Sequence, residues 1–533
     1  MKKTLLLGLV LLLALTAVPA MAARSGGTLN FVAPYGGDVF SLDPHNSTRT
    51  QDSIISMNIH KCLYEWSPEK NMPVPALAES VKISPDGKVY TFKLRPNIKF
   101  HNGRQLTVDD VIWTYNRIMS MKPASTGARF VRPILGAKEV EEGKAKTIKG
   151  LKKIDDLTLE VTLKAPVDLK YYLFWINTCI MPKEEIEKRG KSFMTNPVGC
   201  GPFKFVKWVK GSKIVLEKFD DFYLEGRPYL DKVIYNIMPE AASRDLAFKA
   251  KKLDATIVGA VNYPQYQADP VYGKNLLEVA EMFTRHIGFN PKFKPFQNKK
   301  VRQAINYAIP ADLIIKKLLK GKAYPCRGYL PTSSPAFDPN GKKYDFNLEK
   351  AKQLMKEAGY EKGFTVEQCV GTANKSWGTG IYEAAMPYLK KIGIKLNIQQ
   401  MEGAAMAERL RQGEYQMYIW SINSGPDPLE SLHRFHSDNA QSSGNFIAYN
   451  NPEFDKLLDQ AAHTVDTKAR MEILKKADAV FTEDAPMWFF NYNKAVLAHQ
   501  PWVHNLSKVA VEMMFQDMTN VWVDDKSPRA NEK

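Results

Sequence analysis

The chain has 533 residues, 44% of them hydrophobic and 25% charged. That balance excludes disordered, collagenous and coiled-coil classes, and the length requires two or three folding units rather than one small core. Lys and Arg number 74 against 57 Asp and Glu, a marked basic excess. The basic pairs Lys251-Lys252, Lys299-Lys300 and Lys390-Lys391 are short and dispersed, so a solvated basic surface is expected and no nucleic-acid partner.

Lys2 and Lys3 precede an apolar run over 5–18, and Ala20-Met21-Ala22 supplies a small-x-small cleavage site. This is the order of a secretory signal peptide, so residues 1–22 are predicted to be removed on export; an uncleaved anchor is the alternative. Five cysteines follow: Cys62, Cys179, Cys200, Cys326 and Cys369. None has Cys-x-x-Cys or zinc spacing, so neither metal nor cofactor is expected. An odd count leaves at least one thiol free, with Cys179–Cys200 the candidate bridge.

Residues 27–33 form a short apolar strand leading into the turn Pro34-Tyr35-Gly36-Gly37. Over 89–95 the alternation of Tyr90, Phe92 and Leu94 predicts a half-buried strand, and Leu159, Val161 and Leu163 repeat it. Thr107 opens a helix with Asp110 as its capping partner, and Val108, Val111, Ile112, Tyr115, Ile118 and Met119 recur at helical spacing. Further on, Val301, Ala304, Ile305 and Ala308 share a helix face stopped by Pro310. Asn347 then caps a helix that ends at Gly359. A strand over 364–370, a helix over 380–391, a strand over 394–400, a helix over 404–412 and a strand over 415–422 make a βαβαβ unit. Such alternation predicts a mainly parallel α/β sheet, whose ligands bind outside the carboxyl ends of the strands. The loops 371–378 and 423–428 meet that criterion.

Several blocks resemble one family. Ala76-Leu77-Ala78-Glu79-Ser80, Ser84-Pro85-Asp86-Gly87-Lys88-Val89-Tyr90-Thr91-Phe92, Lys99-Phe100-His101-Asn102-Gly103 and Thr107-Val108-Asp109-Asp110-Val111 are similar to the signature of bacterial extracellular solute-binding proteins, family 5. Asn196-Pro197-Val198-Gly199-Cys200-Gly201-Pro202-Phe203, Phe289-Asn290 with Val301-Arg302-Gln303-Ala304, and Asn451-Pro452-Glu453-Phe454-Asp455 extend the likeness over nearly the whole mature chain. The resemblance implies an α/β, two-lobed periplasmic-binding-protein fold of the large cluster C type with an inserted α+β subdomain. Lobe I would comprise 23–66, 180–292 and 490–533, the subdomain 67–179 and lobe II 293–489. It further implies a periplasmic monomer that closes over a small-molecule or peptide ligand and hands it to the membrane permease subunits of an ABC transporter.

Peptide-binding members of that family hold the ligand's ammonium with a carboxylate just before an Asp-Pro step. Here Asn423 or Ser424 takes that place, both uncharged, which favours a neutral, hydroxylated or anionic ligand. Asp427, followed by Pro428 and Glu430, reads first as a helix N-cap with a capping box and second as a ligand carboxylate bordering the cleft. Trp377 and Asn374 lie in the first strand-end loop, and Trp420 precedes the second, as core or as cleft wall. Tyr35 would face the cleft from the other lobe. These seven residues form the expected ligand site. Arg434 and His436 are candidates for a ligand carboxylate, equally explained by a helix face. No nucleophile elbow, zinc-protease helix, phosphate loop or dinucleotide fingerprint is present, so no catalytic residue is expected and a secreted hydrolase is the remote alternative. Opines, oligosaccharides and chelated metals remain open beside peptides.

Overall fold

The computed structural model describes residues 23–47, 49–373, 378–439, 445–464 and 466–532. Among these, an eleven-stranded sheet runs through the whole molecule. One end is the predicted βαβαβ unit: strand Phe364–Gly371, helix Thr379–Leu389, strand Ile394–Gln400, helix Gly403–Gln412 and strand Met417–Asn423. Phe364–Gly371 lies between the other two and pairs with both in parallel, as strands joined by crossover helices must. The opposite end carries Thr28–Val32, parallel to Lys232–Asn236, followed by the antiparallel strands Lys213–Lys218 and Phe203–Val209.

Two long strands join these ends, Leu276–Phe289 and Met487–His499, paired antiparallel. At about 3.3 Å per residue each spans roughly 45 Å, long enough to belong to both halves. Their ladder holds from Leu276↔Ala498 to Ala280↔Lys494, breaks, and resumes at Thr284↔Tyr492. Beyond the break, Leu276–Phe289 takes Met417–Asn423 as its second partner. Residues 281–283 therefore sit where the sheet passes from one half to the other without a continuous ladder, and a bulged strand bends most easily at such a point.

The cores follow the same division. Leu29, Phe31, Val233, Tyr235 and Leu497 pack in one half. Val301, Ala304, Ile305 and Ala308, the predicted helix face, pack with Ile381 and Trp488 in the other. A third core lies under the four-stranded antiparallel sheet Ala78–Ile83, Val89–Leu94, Thr158–Thr162 and Leu151–Lys153. Tyr90, Phe92 and Leu94 point into it from one strand and Leu159 and Val161 from another. The helix Val108–Ser120 adds Val111, Tyr115 and Ile118. Its cap works as read: the Thr107 N–H donates to Asp110 Oδ2 at 2.9 Å. This core also takes in Leu63 and Tyr64 before it and Phe219, Phe222 and Tyr223 after it, apolar side chains that close its open side.

All five cysteines are buried and free, so the candidate Cys179–Cys200 bridge is not formed. Cys179 packs with Cys62, Ile176 and Met181, whereas Cys200 belongs to the third core. Among the described residues no helix is long and apolar enough to cross a membrane.

Candidate functional site

The break in the central ladder opens a cavity of about 340 Å³ whose walls come from both halves of the sheet. In a strand, residues i, i+2 and i+4 share a face. Glu281, Phe283 and Arg285 accordingly all line it from the strand Leu276–Phe289. Ser421 borders it from the parallel unit, Lys322 from the edge, and Tyr35 and Glu512 from the opposite half.

Glu281 and Glu512 are each 5% exposed. Glu281 accepts the Met513 N–H at 2.9 Å and an amide N–H of Asn493. Glu512 accepts the Tyr35 hydroxyl at 2.5 Å and the Met514 N–H at 3.3 Å. Burial pushes the Glu512 carboxyl up to about 8, and the charge of nearby Glu281 adds to the shift. Burial raises Glu281 too. Two carboxyls this close and this dry share a proton rather than ionise together.

The cations facing them are also desolvated. Burial brings the Lys322 ammonium down to about 8 against the pull of Glu281, and its Nζ donates to the Lys494 carbonyl at 2.8 Å. Burial likewise lowers Arg285, with Glu281 opposing. An arginine stays charged in any protein setting. Its Nε is buried with no hydrogen-bond partner among the described residues. The cavity thus sets Arg285 and Lys322 against two carboxyls whose ionisation burial opposes, and an anionic group from outside would complement the two cations.

The seven residues expected from sequence divide as follows. Tyr35 lines the cavity in the left-handed backbone region, φ 54°, with its hydroxyl bound to Glu512. Tyr35 is 46% exposed as a whole, and desolvation around its hydroxyl, then the charge of Glu512, raise that phenol above its ordinary range. Asn423 is exposed at the end of Met417–Asn423, opposite Phe283, and its Oδ1 accepts the Gly425 N–H at 2.7 Å. Ser424 is buried against the ladder break: its N–H donates to the Met282 carbonyl at 2.7 Å. Trp420 is half-buried, edge-on to Phe446 at 6.1 Å. Asn374 and Trp377 lie outside the described residues.

Asp427 stands apart. It is 2% exposed, caps the helix Pro428–His433 through the Leu429 N–H at 3.0 Å, and meets Arg470 Nη2 with both oxygens, at 2.9 and 3.1 Å. This buried pair borders a different cavity of about 400 Å³, opposite Tyr90, Lys170 and Tyr172. Arg434 donates to the Asn423 carbonyl at 3.3 Å, and His436 is buried with its ring stacked on His433. Among the described residues no group of three His, Cys, Asp or Glu side chains is placed to hold a metal ion.

Sequence reasoning missed Glu281, Arg285, Lys322 and Glu512. Glu281, Phe283 and Arg285 do sit at alternate positions, but Glu278, Thr284 and His286 interrupt the apolar pattern of the same strand, so the alternation does not stand out.

The profile of bacterial extracellular solute-binding proteins, family 5 (middle region), matches residues 72–443. Heme-binding protein A of Haemophilus influenzae is 31% identical over 450 residues, covering 81% of this chain and 81% of that protein. The dipeptide-binding protein of Escherichia coli is 28% identical over 499 residues, covering 89% and 91%. Among solved structures, the ABC transporter-associated periplasmic binding protein DppA of Helicobacter pylori, in complex with the peptide STSA, superposes with a TM-score of 0.73 at 27% identity. That match covers 94% of this chain and 99% of that one. With the profile spanning most of the chain and two halves joined at an interrupted ladder, the chain belongs to the bacterial extracellular solute-binding proteins, family 5, the ligand-binding components of ABC importers.

Proposed function

We propose that the protein captures a small, peptide-like solute bearing a carboxylate, and that Arg285 receives that group in the hinge cavity. The observation carrying this reading is a buried guanidinium with an unsatisfied Nε, in a cavity walled by both halves of the sheet. Uncharged Asn423 or Ser424, at the place where the family resemblance implies an ammonium-holding carboxylate in peptide binders, points the same way: a carboxylate ligand meets no repulsion there. Haem and dipeptides, the ligands named for two relatives, both carry ionised carboxylates. The protein would act in the periplasm as a monomer after removal of residues 1–22, binding without chemistry. Two lobes, divided along Leu276–Phe289 and Met487–His499 at the ladder break, would close about residues 281–283. Contacts from both sides then favour the closed form, which the permease subunits recognise.

Native mass spectrometry of the purified protein identifies the co-purifying solute. Calorimetry with a dipeptide, its C-terminal amide and its N-acetyl form tests how it is held. A charge-assisted hydrogen bond is worth about 1.5–3 kcal/mol, roughly 10- to 100-fold in affinity. Amidation and Arg285→Gln should each cost that much, and N-acetylation less than about threefold. Greater loss on acetylation than on amidation refutes the carboxylate reading.

A further inference from the structure

A second cavity, about 600 Å³, lies where the hairpin over 64–75 and residues 174–176 meet the C-terminal stretch 505–520. It shares no lining residue with the hinge cavity. One wall is a continuous run of rings: Trp66 to Phe174 at 5.7 Å, Phe174 to Trp175 at 4.6 Å and Trp175 to Phe515 at 6.3 Å between centroids. The Trp66 indole N–H in that wall is buried without a partner among the described residues.

Beside the rings, the Lys61 ammonium lies 3.1 Å from Glu65 and in contact with Asp517. The lysine side chain is 5% exposed, whereas those of Glu65 and Asp517 are 35% and 30% exposed. All three side chains line the cavity, the two carboxylates being the more exposed. Lys61 is thus shared between two carboxylates, and neither has that cation to itself. Desolvation raises the Glu65 carboxyl, with Lys61 and Arg95 opposing and Asp517 adding to the rise, so a further cation beside it would favour its ionised form.

We propose that this cavity is a binding site for a small organic cation with a flat apolar body, an aromatic amine being the simplest case. The ring would lie against Trp66 and Trp175, and the ammonium would reach Glu65 and Asp517. Aromatic faces attract a cation through their quadrupoles, and neighbouring carboxylates add to that attraction. The volume falls within the range of small-molecule sites.

The test uses the full mature protein with two soluble probes of similar shape, phenethylamine and uncharged 2-phenylethanol, followed by tryptophan fluorescence and calorimetry. The amine should bind at least about tenfold more tightly than the alcohol. Glu65→Gln should narrow that ratio to about threefold or less, and Trp175→Leu should weaken both probes. Arg285→Gln, which tests the hinge cavity, should leave amine affinity unchanged. Equal binding of amine and alcohol by the unaltered protein overturns the proposal whether or not any variant folds. So does loss of amine binding in Arg285→Gln, which would put the probe in the hinge cavity.

Discussion

Asp427 offers two roles that one substitution separates. As cap and ion-pair partner it belongs to the framework of the half containing the parallel unit; as a ligand carboxylate it would belong to the cleft. Asp427 and Arg470 are 2% and 6% exposed, and their contact is bidentate from the carboxylate. Asp427→Ala strands a guanidinium in a dry site, a change that costs about 3–5 kcal/mol. The lost bond to the Leu429 N–H accounts for about 1 kcal/mol on its own, and since one carboxylate makes both contacts the two figures do not simply add. A loss of about 4 kcal/mol, at roughly 2–4 °C per kcal/mol for a unit of this size, lowers the melting temperature by about 10 °C. Differential scanning calorimetry reads that shift, and titration with the co-purified solute reads affinity, expected to change less than about twofold. Adding Arg470→Met should recover part of the loss by removing the uncompensated charge. A variant that melts with the unaltered protein but no longer binds solute would refute this reasoning and make Asp427 a ligand contact.

The hinge carboxyls predict a pH dependence. Glu512, near 8 when folded against about 4.3 in an unfolded chain, keeps its proton better in the folded state. Its contribution is fully present below the unfolded value and is lost as pH rises toward 8, with a slope of at most about 1.4 kcal/mol per unit. The melting temperature of the unliganded protein should therefore fall between pH 5 and 8 more steeply than that of Glu512→Gln; equal slopes would refute the assignment. The cysteines predict a labelling pattern: five buried free thiols should resist a thiol reagent in the native protein and all five should react after unfolding. Fewer than five on unfolding without reductant would reveal a disulfide.

What could be read from sequence was whatever is local. The βαβαβ unit emerged because apolar residues change from a spacing of 3.6 to one of 2 within a few positions, and crossover chirality leaves such a unit few arrangements. Asn347 and Asp427 announced themselves as caps because a cap bond spans two or three residues: Asn347 accepts from Lys350 N–H at 2.9 Å and Asp427 from Leu429. The partner of Asp427, Arg470, lies 43 positions away on another helix and carries no such mark.

The hinge cavity was illegible for a more particular reason. A strand shared by two halves of a protein does not alternate cleanly, because the face that is core in one half becomes cavity wall in the other. In Leu276–Phe289 that exchange puts Glu281 and Arg285 among residues otherwise suited to a core, and its cause, the missing rungs between Ala280 and Thr284, is a property of pairing with Met487–His499. Glu281 finds the Met513 N–H 232 positions downstream, and Glu512 finds the hydroxyl of Tyr35 near the start of the mature chain. Charges that would be intolerable in either core are accommodated only where three distant segments converge on the bend. Under the proposed closure about that bend, the same place is where an arriving solute would alter the balance of charge and shape together.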